Sequence, residues 1–293
     1  MLIYKGNMKA SPDRLYNDVE TLTSISPPRN YLQLESLNKA ATYIISEFRK
    51  LNCQVKEQPF QVDGNPYKNI TAIFEGRSAE RIVVGAHYDV CGDQPGADDN
   101  ASGVAGLLEI ARLLNERQNE LTHTIELVAY CLEEPPYFGS SNMGSAVHAR
   151  SLKEAGVQVK AMICYDMIGY YSDTPGSQRF PSPEFSKYYP DTGNFIVVVS
   201  RQGDEAFTQK VRDLMQPHCQ VPVYAVNLPE AFGLVGLSDH RNYWKYNIDA
   251  VMINNSAFLR NPNYHLPTDT IDTLDFDKMA EVVNGVYNAI IRL

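Results

Sequence analysis

No Cys-x-x-Cys pair occurs in this chain. Its five cysteines, Cys53, Cys91, Cys131, Cys164 and Cys219, lie far apart, which excludes a thiolate zinc knuckle and a disulfide scaffold. Cys131 and Cys164 fall in apolar runs where a buried, inert thiol is expected. No run of about 18 apolar residues exists, so a transmembrane helix is not expected. The first 25 residues hold no sustained apolar stretch, so a signal peptide is not expected and a cytoplasmic, reducing location is. Basic blocks are missing too: 26 Lys and Arg against 35 Asp and Glu give a net charge of −9. Nucleic acid and membrane surfaces are therefore excluded as expected partners. A Gly-x-Ser-x-Gly elbow is absent, as is a Gly-rich phosphate loop ending in Lys-Ser/Thr.

What is present reads as an alternation of strands and helices. Apolar positions Leu37, Ala41, Ile44, Ile45, Phe48 and Leu51 predict an amphipathic helix. Strands are expected at 54–62 and 69–74, at 81–86 around Ile82-Val83-Val84, and at 124–132, 160–165, 195–200, 221–226 and 249–253. Further helices are expected from near Asn100, after Ser140, around Phe207 to Met215, and from Phe276 to Ile290. The pattern predicts an α/β fold: one mostly parallel, mixed sheet with helices on both faces. With no linker or repeat, residues 1–293 read as a single domain. Two long irregular stretches, 172–194 and 227–247, carry Phe180, Phe185, Tyr188, Tyr189, Phe232, Tyr243 and Trp244. These aromatics are expected to wall a pocket.

Polar residues follow the apolar strands in a telling way. His87-Tyr88-Asp89 follows the third strand, Glu133-Glu134 the fourth and Asp166 the fifth. Gly96-Ala97-Asp98-Asp99-Asn100-Ala101-Ser102-Gly103 opens a helix, and His265 lies a dozen residues beyond the last strand. Taken singly, each has an ordinary explanation. An Asp-Asp-Asn run can cap a helix, a Glu pair can be solvated charge, and a lone His is usually just hydrogen-bonded. Together they fall at one edge of the predicted sheet, where ligands of open α/β folds bind. Two imidazoles and three carboxylates suit zinc, or manganese or cobalt in its place. Paired cations can polarise a carbonyl and generate hydroxide near neutral pH. One unligated carboxylate must then move the proton, and the adjacent pair Glu133 and Glu134 offers that division of labour.

These motifs, with Tyr264-His265-Leu266-Pro267-Thr268-Asp269-Thr270, resemble the di-zinc aminopeptidase family, which also includes plasma glutamate carboxypeptidase and glutaminyl cyclase relatives. The resemblance runs from the helix at Leu37 to the C-terminus. It implies a phosphorylase/hydrolase-like zinc exopeptidase fold and two Zn2+ ions, with Asp98 shared between them across a cis Asp98–Asp99 peptide. Glu134 and His265 would complete one ligand set, His87 and Asp166 the other. Glu133 would be the general base, and Asp89 would orient His87 through its second ring nitrogen. The implied activity is hydrolysis of peptides or aminoacyl amides near a free N-terminus. A single-zinc glutaminyl cyclase-type acyltransferase and a catalytically inactive module of the same fold are the alternatives. Ser238-Asp239-His240 also resembles a family element, without an assigned role. The chain departs from many relatives at Pro135-Pro136-Tyr137-Phe138-Gly139-Ser140, a stiff insert expected to reshape the specificity pocket. His123, His148, His218 and His240 are expected not to be ligands.

Overall fold

Ile82, Val83 and Val84 are wholly inaccessible to solvent, because the sheet they help form is covered on both faces. In a strand successive side chains point to opposite faces. Ile82, Val84 and Ala86 accordingly join the larger apolar cluster, while Val83 joins the smaller one on the other side. The computed structural model describes residues 9–293, apart from the side chain of Asn119. The expectation of no leader segment falls partly on residues 1–8, which lie outside the described residues.

Eight strands form one sheet: β1 (Gln54–Val62), β2 (Asn65–Phe74), β3 (Ser78–His87), β4 (His123–Tyr130), β5 (Val159–Tyr165), β6 (Ile196–Arg201), β7 (Val223–Leu228) and β8 (Ala250–Asn254). Their spatial order is β1-β2-β4-β3-β5-β8-β6-β7. The four central strands β4, β3, β5 and β8 run parallel. Antiparallel pairing appears toward the flanks, at β1–β2, β2–β4 and β6–β8. The sheet is thus mixed, with its parallel part at the centre. That part matters for function, since it brings the ends of β3, β4 and β5 to one edge.

The helices are α1 (Pro12–Thr23), α2 (Leu34–Arg49), α3 (Gly103–Asn115), α4 (Gly144–Glu154), α5 (Glu205–Met215), α6 (Arg241–Trp244) and α7 (Phe276–Ile290). Sequence patterning missed α1, though its signals are present. Ser11 caps it by accepting from the Arg14 amide, Pro12 opens it, and Leu15, Val19 and Leu22 are buried. Arg112 on α3 reaches Asp18 on α1 at 2.6 Å. Among the described residues no helix is long and apolar enough to cross a membrane.

The two long stretches divide their aromatics among three environments. Phe180, Phe185 and Tyr189 line a pocket at the sheet edge. Tyr188 and Phe232 face solvent, and Tyr243 and Trp244 pack into the smaller core cluster. The insert after the glutamate pair also differs from expectation. Tyr137 packs edge-on against Tyr31 and Tyr67 and donates to Asp63, so the insert ties down the β1–β2 hairpin instead of shaping that pocket.

His240 anchors the 227–247 stretch. It is fully buried, its Nε2 lies 2.6 Å from the Val235 carbonyl, and its ring meets Trp244 edge-on. The proton therefore sits on Nε2, while Nδ1 is buried without a partner. Burial pushes this imidazole down to about 4. A depressed base binds protons in the unfolded chain first, so its contribution is complete above about 6.5 and is lost as pH falls toward 4. The stability advantage of wild type over His240→Gln, read from urea unfolding, should shrink by about 2 kcal/mol between pH 7 and pH 5. An advantage independent of pH would refute the neutral buried imidazole.

Candidate metal centre

The central strands deliver their terminal residues to one place. His87 ends β3, Glu133 and Glu134 follow β4, and Asp166 follows β5. Asp99 comes from the kinked turn Ala97–Ser102 ahead of α3, where its own backbone is not helical, and His265 from the loop after β8. One Asp99 oxygen lies 3.3 Å from His87 Nε2, and the other lies 3.1 Å from His265 Nε2. Asp166 is 3.8 Å from His87 Nε2, and Glu134 is 3.4 Å from His265 Nε2. Glu133 stands 3.9 Å from His87 Nε2. The carboxylate of Asp99 is thus shared between two clusters: His87 with Asp166, and His265 with Glu134.

Asp98, expected in that shared position, is elsewhere. Its carboxylate turns inward and accepts from the amides of Gly169 and Tyr170 and from the side chains of Asn255 and Asn261, at 2.8–3.2 Å. The cis peptide is likewise one residue on, at Asp99–Asn100. Sequence spacing cannot separate two adjacent acids. The turn's backbone path, entered through Gly96 at φ +62°, decides which of them faces the histidines.

Two further carboxylates hold the segments that carry these side chains by gripping consecutive backbone amides. Asp269 accepts from the N–H groups of Asp98 and Asp99 at 2.9 and 3.0 Å. Asp89 accepts from those of Glu133 and Glu134, both at 3.1 Å. Asp89 thus has a second task beside the one expected of it toward His87. His87 Nδ1 lies nearer the Asp89 backbone carbonyl, at 3.2 Å, than its carboxylate, at 3.7 Å. Asp89 is a positioning residue: its carboxylate grips the glutamate pair's backbone and stands 3.7 Å from His87 Nδ1. Arg29, fully buried, completes the frame. It donates to the carbonyls of Leu22, Tyr88, Pro95 and Gly96, fixing the loop between His87 and Asp99. In the sequence Asp269 stands only as part of the Tyr264-to-Thr270 motif, without a role, and nothing singles out Arg29.

The electrostatics fit a cation pair. Asp99, Glu133, Glu134 and Asp166 are all buried. Burial, reinforced by mutual repulsion, pushes Glu134 up to about 7 and Asp166 up to about 8, and drives Glu133 well above the usual carboxylate range. Asp99 is the exception: burial alone would raise it, but the imidazoles of His265 and His87 beside its two oxygens outweigh that and hold it low. His87 Nε2, Glu133 Oε1 and Glu134 Oε1 are buried without hydrogen-bond partners. Such groups are costly unless they meet a counter-charge. Imidazole and carboxylate donors at this spacing suit zinc, manganese or cobalt. His87, Asp99 and Asp166 would hold one ion, and His265, Asp99 and Glu134 a second.

The same acids line one end of the pocket walled by Phe180, Phe185, Tyr189, Phe195, Leu234 and Met252. Asp239 of the Ser238-Asp239-His240 element is fully buried beside the cluster, with neither carboxylate oxygen hydrogen-bonded. Burial pushes it up to about 7. His148 sits apart from the site, between Glu126 and Tyr243.

The sequence profile described as Peptidase family M28 matches residues 69–290. The chain belongs to peptidase family M28. Among M28-like sequences, the uncharacterized protein YfbL of Escherichia coli K12 is 46% identical over 285 residues, covering 94% of this chain and 87% of that one. Leucine aminopeptidase 1 of Arthroderma otae is 33% identical over 227 residues, covering 73% of this chain. The match spans about half of that relative, 54% of its length. Two solved structures share the M28 fold. BSAP, a zinc aminopeptidase from Bacillus subtilis, aligns at TM-score 0.76 and 15% identity, over 98% of this chain and 96% of that one. A Bacteroides thetaiotaomicron glutaminyl cyclase aligns at 0.74 and 19%, over 98% and 99%. At such identities the likeness concerns fold alone.

The neighbouring aspartates should separate on substitution. Asp99→Asn should lower bound zinc per chain, measured by mass spectrometry after dialysis, with little change in unfolding. Asp98→Asn should retain zinc but lose about 1–3 kcal/mol in urea unfolding, because an amide group then faces donors. The reverse pattern would return the shared position to Asp98.

Proposed function

We propose that this M28 protein is a zinc-dependent aminopeptidase that removes large apolar residues from the free N-terminus of peptides or aminoacyl amides. The observation that carries the proposal is the Asp99 carboxylate, with one oxygen toward His87 and the other toward His265. Ions held on its two sides would supply Lewis acidity toward the scissile carbonyl and toward water.

The remaining steps belong to the chain's own groups. Glu133 is the proton carrier. Its Oε1 is free of hydrogen bonds, and its backbone is pinned by Asp89. Burial raises its affinity for a proton, so it can take one from water and release it to the departing amine. The acidic surplus favours a positively charged α-amino group at that end of the pocket. Next to it, Phe180, Phe185, Phe195 and Met252 offer an apolar wall for the first side chain. The name of the Arthroderma otae relative agrees with that preference.

The test is a panel of aminoacyl amides, N-blocked peptides, C-terminal glutamate peptides and N-terminal glutaminyl peptides, assayed with and without chelator. Leucyl and phenylalanyl amides should be cleaved, N-blocked substrates should not, and chelator should abolish turnover until zinc is restored. Glu133→Gln should keep its zinc yet lose kcat by roughly 100-fold or more. Cyclisation of glutaminyl peptides without amide hydrolysis would overturn the aminopeptidase reading, as would full activity in Glu133→Gln.

A further inference from the structure

Cys91 lies in the loop between His87 and Asp99, four residues beyond the first histidine. Its sulfur, a carboxylate oxygen of Glu134 and a ring nitrogen of His265 all lie within 4.8 Å of one another. Donor atoms around one tetrahedral zinc stand about 3.5 Å apart, given bonds of about 2.0–2.3 Å. Binding one ion would draw the three atoms together from that upper limit.

Three observations make this more than a cysteine near a site. The loop is held in place at both ends, by Arg29 on the carbonyls of Tyr88, Pro95 and Gly96 and by Asn30 on that of Gly92. Glu134 is buried and its Oε1 has no hydrogen-bond partner, so its carboxylate still has capacity for a cation. Cys91 is itself only half-buried, so the corner can be reached by ions and small reagents. Cys131 and Cys164, by contrast, are buried within the fold.

We propose that Cys91 is a third side-chain donor, beside the shared Asp99, to the cation held by Glu134 and His265. This makes one of the two positions a mixed nitrogen, oxygen and sulfur site. The inference rests on the metal reading above and adds an asymmetry to it. The position of His87 and Asp166 has only imidazole and carboxylate donors, whereas the position of His265 and Glu134 gains a soft one. Soft donors favour zinc and cadmium over magnesium and manganese. A thiolate engaged by a metal is also withdrawn from reaction with electrophiles.

The experiment uses metal-free full-length protein and its Cys91→Ser variant, titrated with cadmium while bound metal is counted by equilibrium dialysis. Wild type should develop a near-ultraviolet sulfur-to-cadmium charge-transfer band equivalent to one thiolate per chain, and Cys91→Ser should not. In wild type alone, zinc should slow maleimide labelling of Cys91, followed by peptide mass mapping, by about tenfold or more. Equal cadmium binding by both proteins with no sulfur band, and labelling of Cys91 unaffected by zinc, would overturn the Cys91 assignment and leave the metal centre standing. Failure of wild type to bind either cation would overturn both.

Discussion

A single carboxylate held between two imidazoles is the constraint on which the rest of the structure turns. Asp99 can face His87 and His265 together only if the backbone at 98–100 follows one particular path. Asp269 fixes that path by accepting both amide protons of the Asp98–Asp99 pair. Asp98 locks it from the other side by taking four hydrogen bonds from residues 169, 170, 255 and 261. The strand order then brings His87, Glu133, Glu134 and Asp166 to the same place, because β3, β4 and β5 are parallel neighbours ending at the same edge.

This arrangement concentrates negative charge where water is scarce. Moving one carboxylate into such surroundings costs several kcal/mol unless a counter-charge meets it. Some relief comes from within the chain. Arg29 is buried near Asp269, Asp89, Asp99 and Glu134; burial pulls its guanidinium down to about 10, so it remains charged at neutral pH. One arginine and two histidines do not balance so many acids. The surplus would be offset by the cations proposed above. The supporting acids Asp89 and Asp269 meet part of their own burial cost by accepting from backbone amides.

Much of this was legible in the sequence. Continuous apolar runs such as Ile82-Val83-Val84 are unambiguous, and all eight strands fall where apolar patterning puts them. His87, Glu133, Glu134, Asp166 and His265 could be found because strand ends are the places where α/β folds gather chemistry. Asp99 was harder to find. It differs from Asp98 by one step along the chain, and only the backbone conformation of the turn separates them. Helix α1 was overlooked because its apolar stripe is thin, although Ser11-Pro12 announces its start. The Asp89 and Asp269 grips were invisible because they act on backbone amides, which carry no sequence signature. Cys91 was passed over because thiolate sites are sought as pairs, whereas here one sulfur sits beside a histidine and a glutamate from distant segments.

The central claim is positional, so it is tested most directly by diffraction from crystals grown with zinc, with anomalous data collected on either side of the zinc edge. Two anomalous peaks about 3.5–4 Å apart are expected, one on each side of the Asp99 carboxylate. The first should be ligated by His87 and Asp166, the second by His265 and Glu134. A single peak, or peaks centred on Asp98 or away from Asp99, would contradict the central claim.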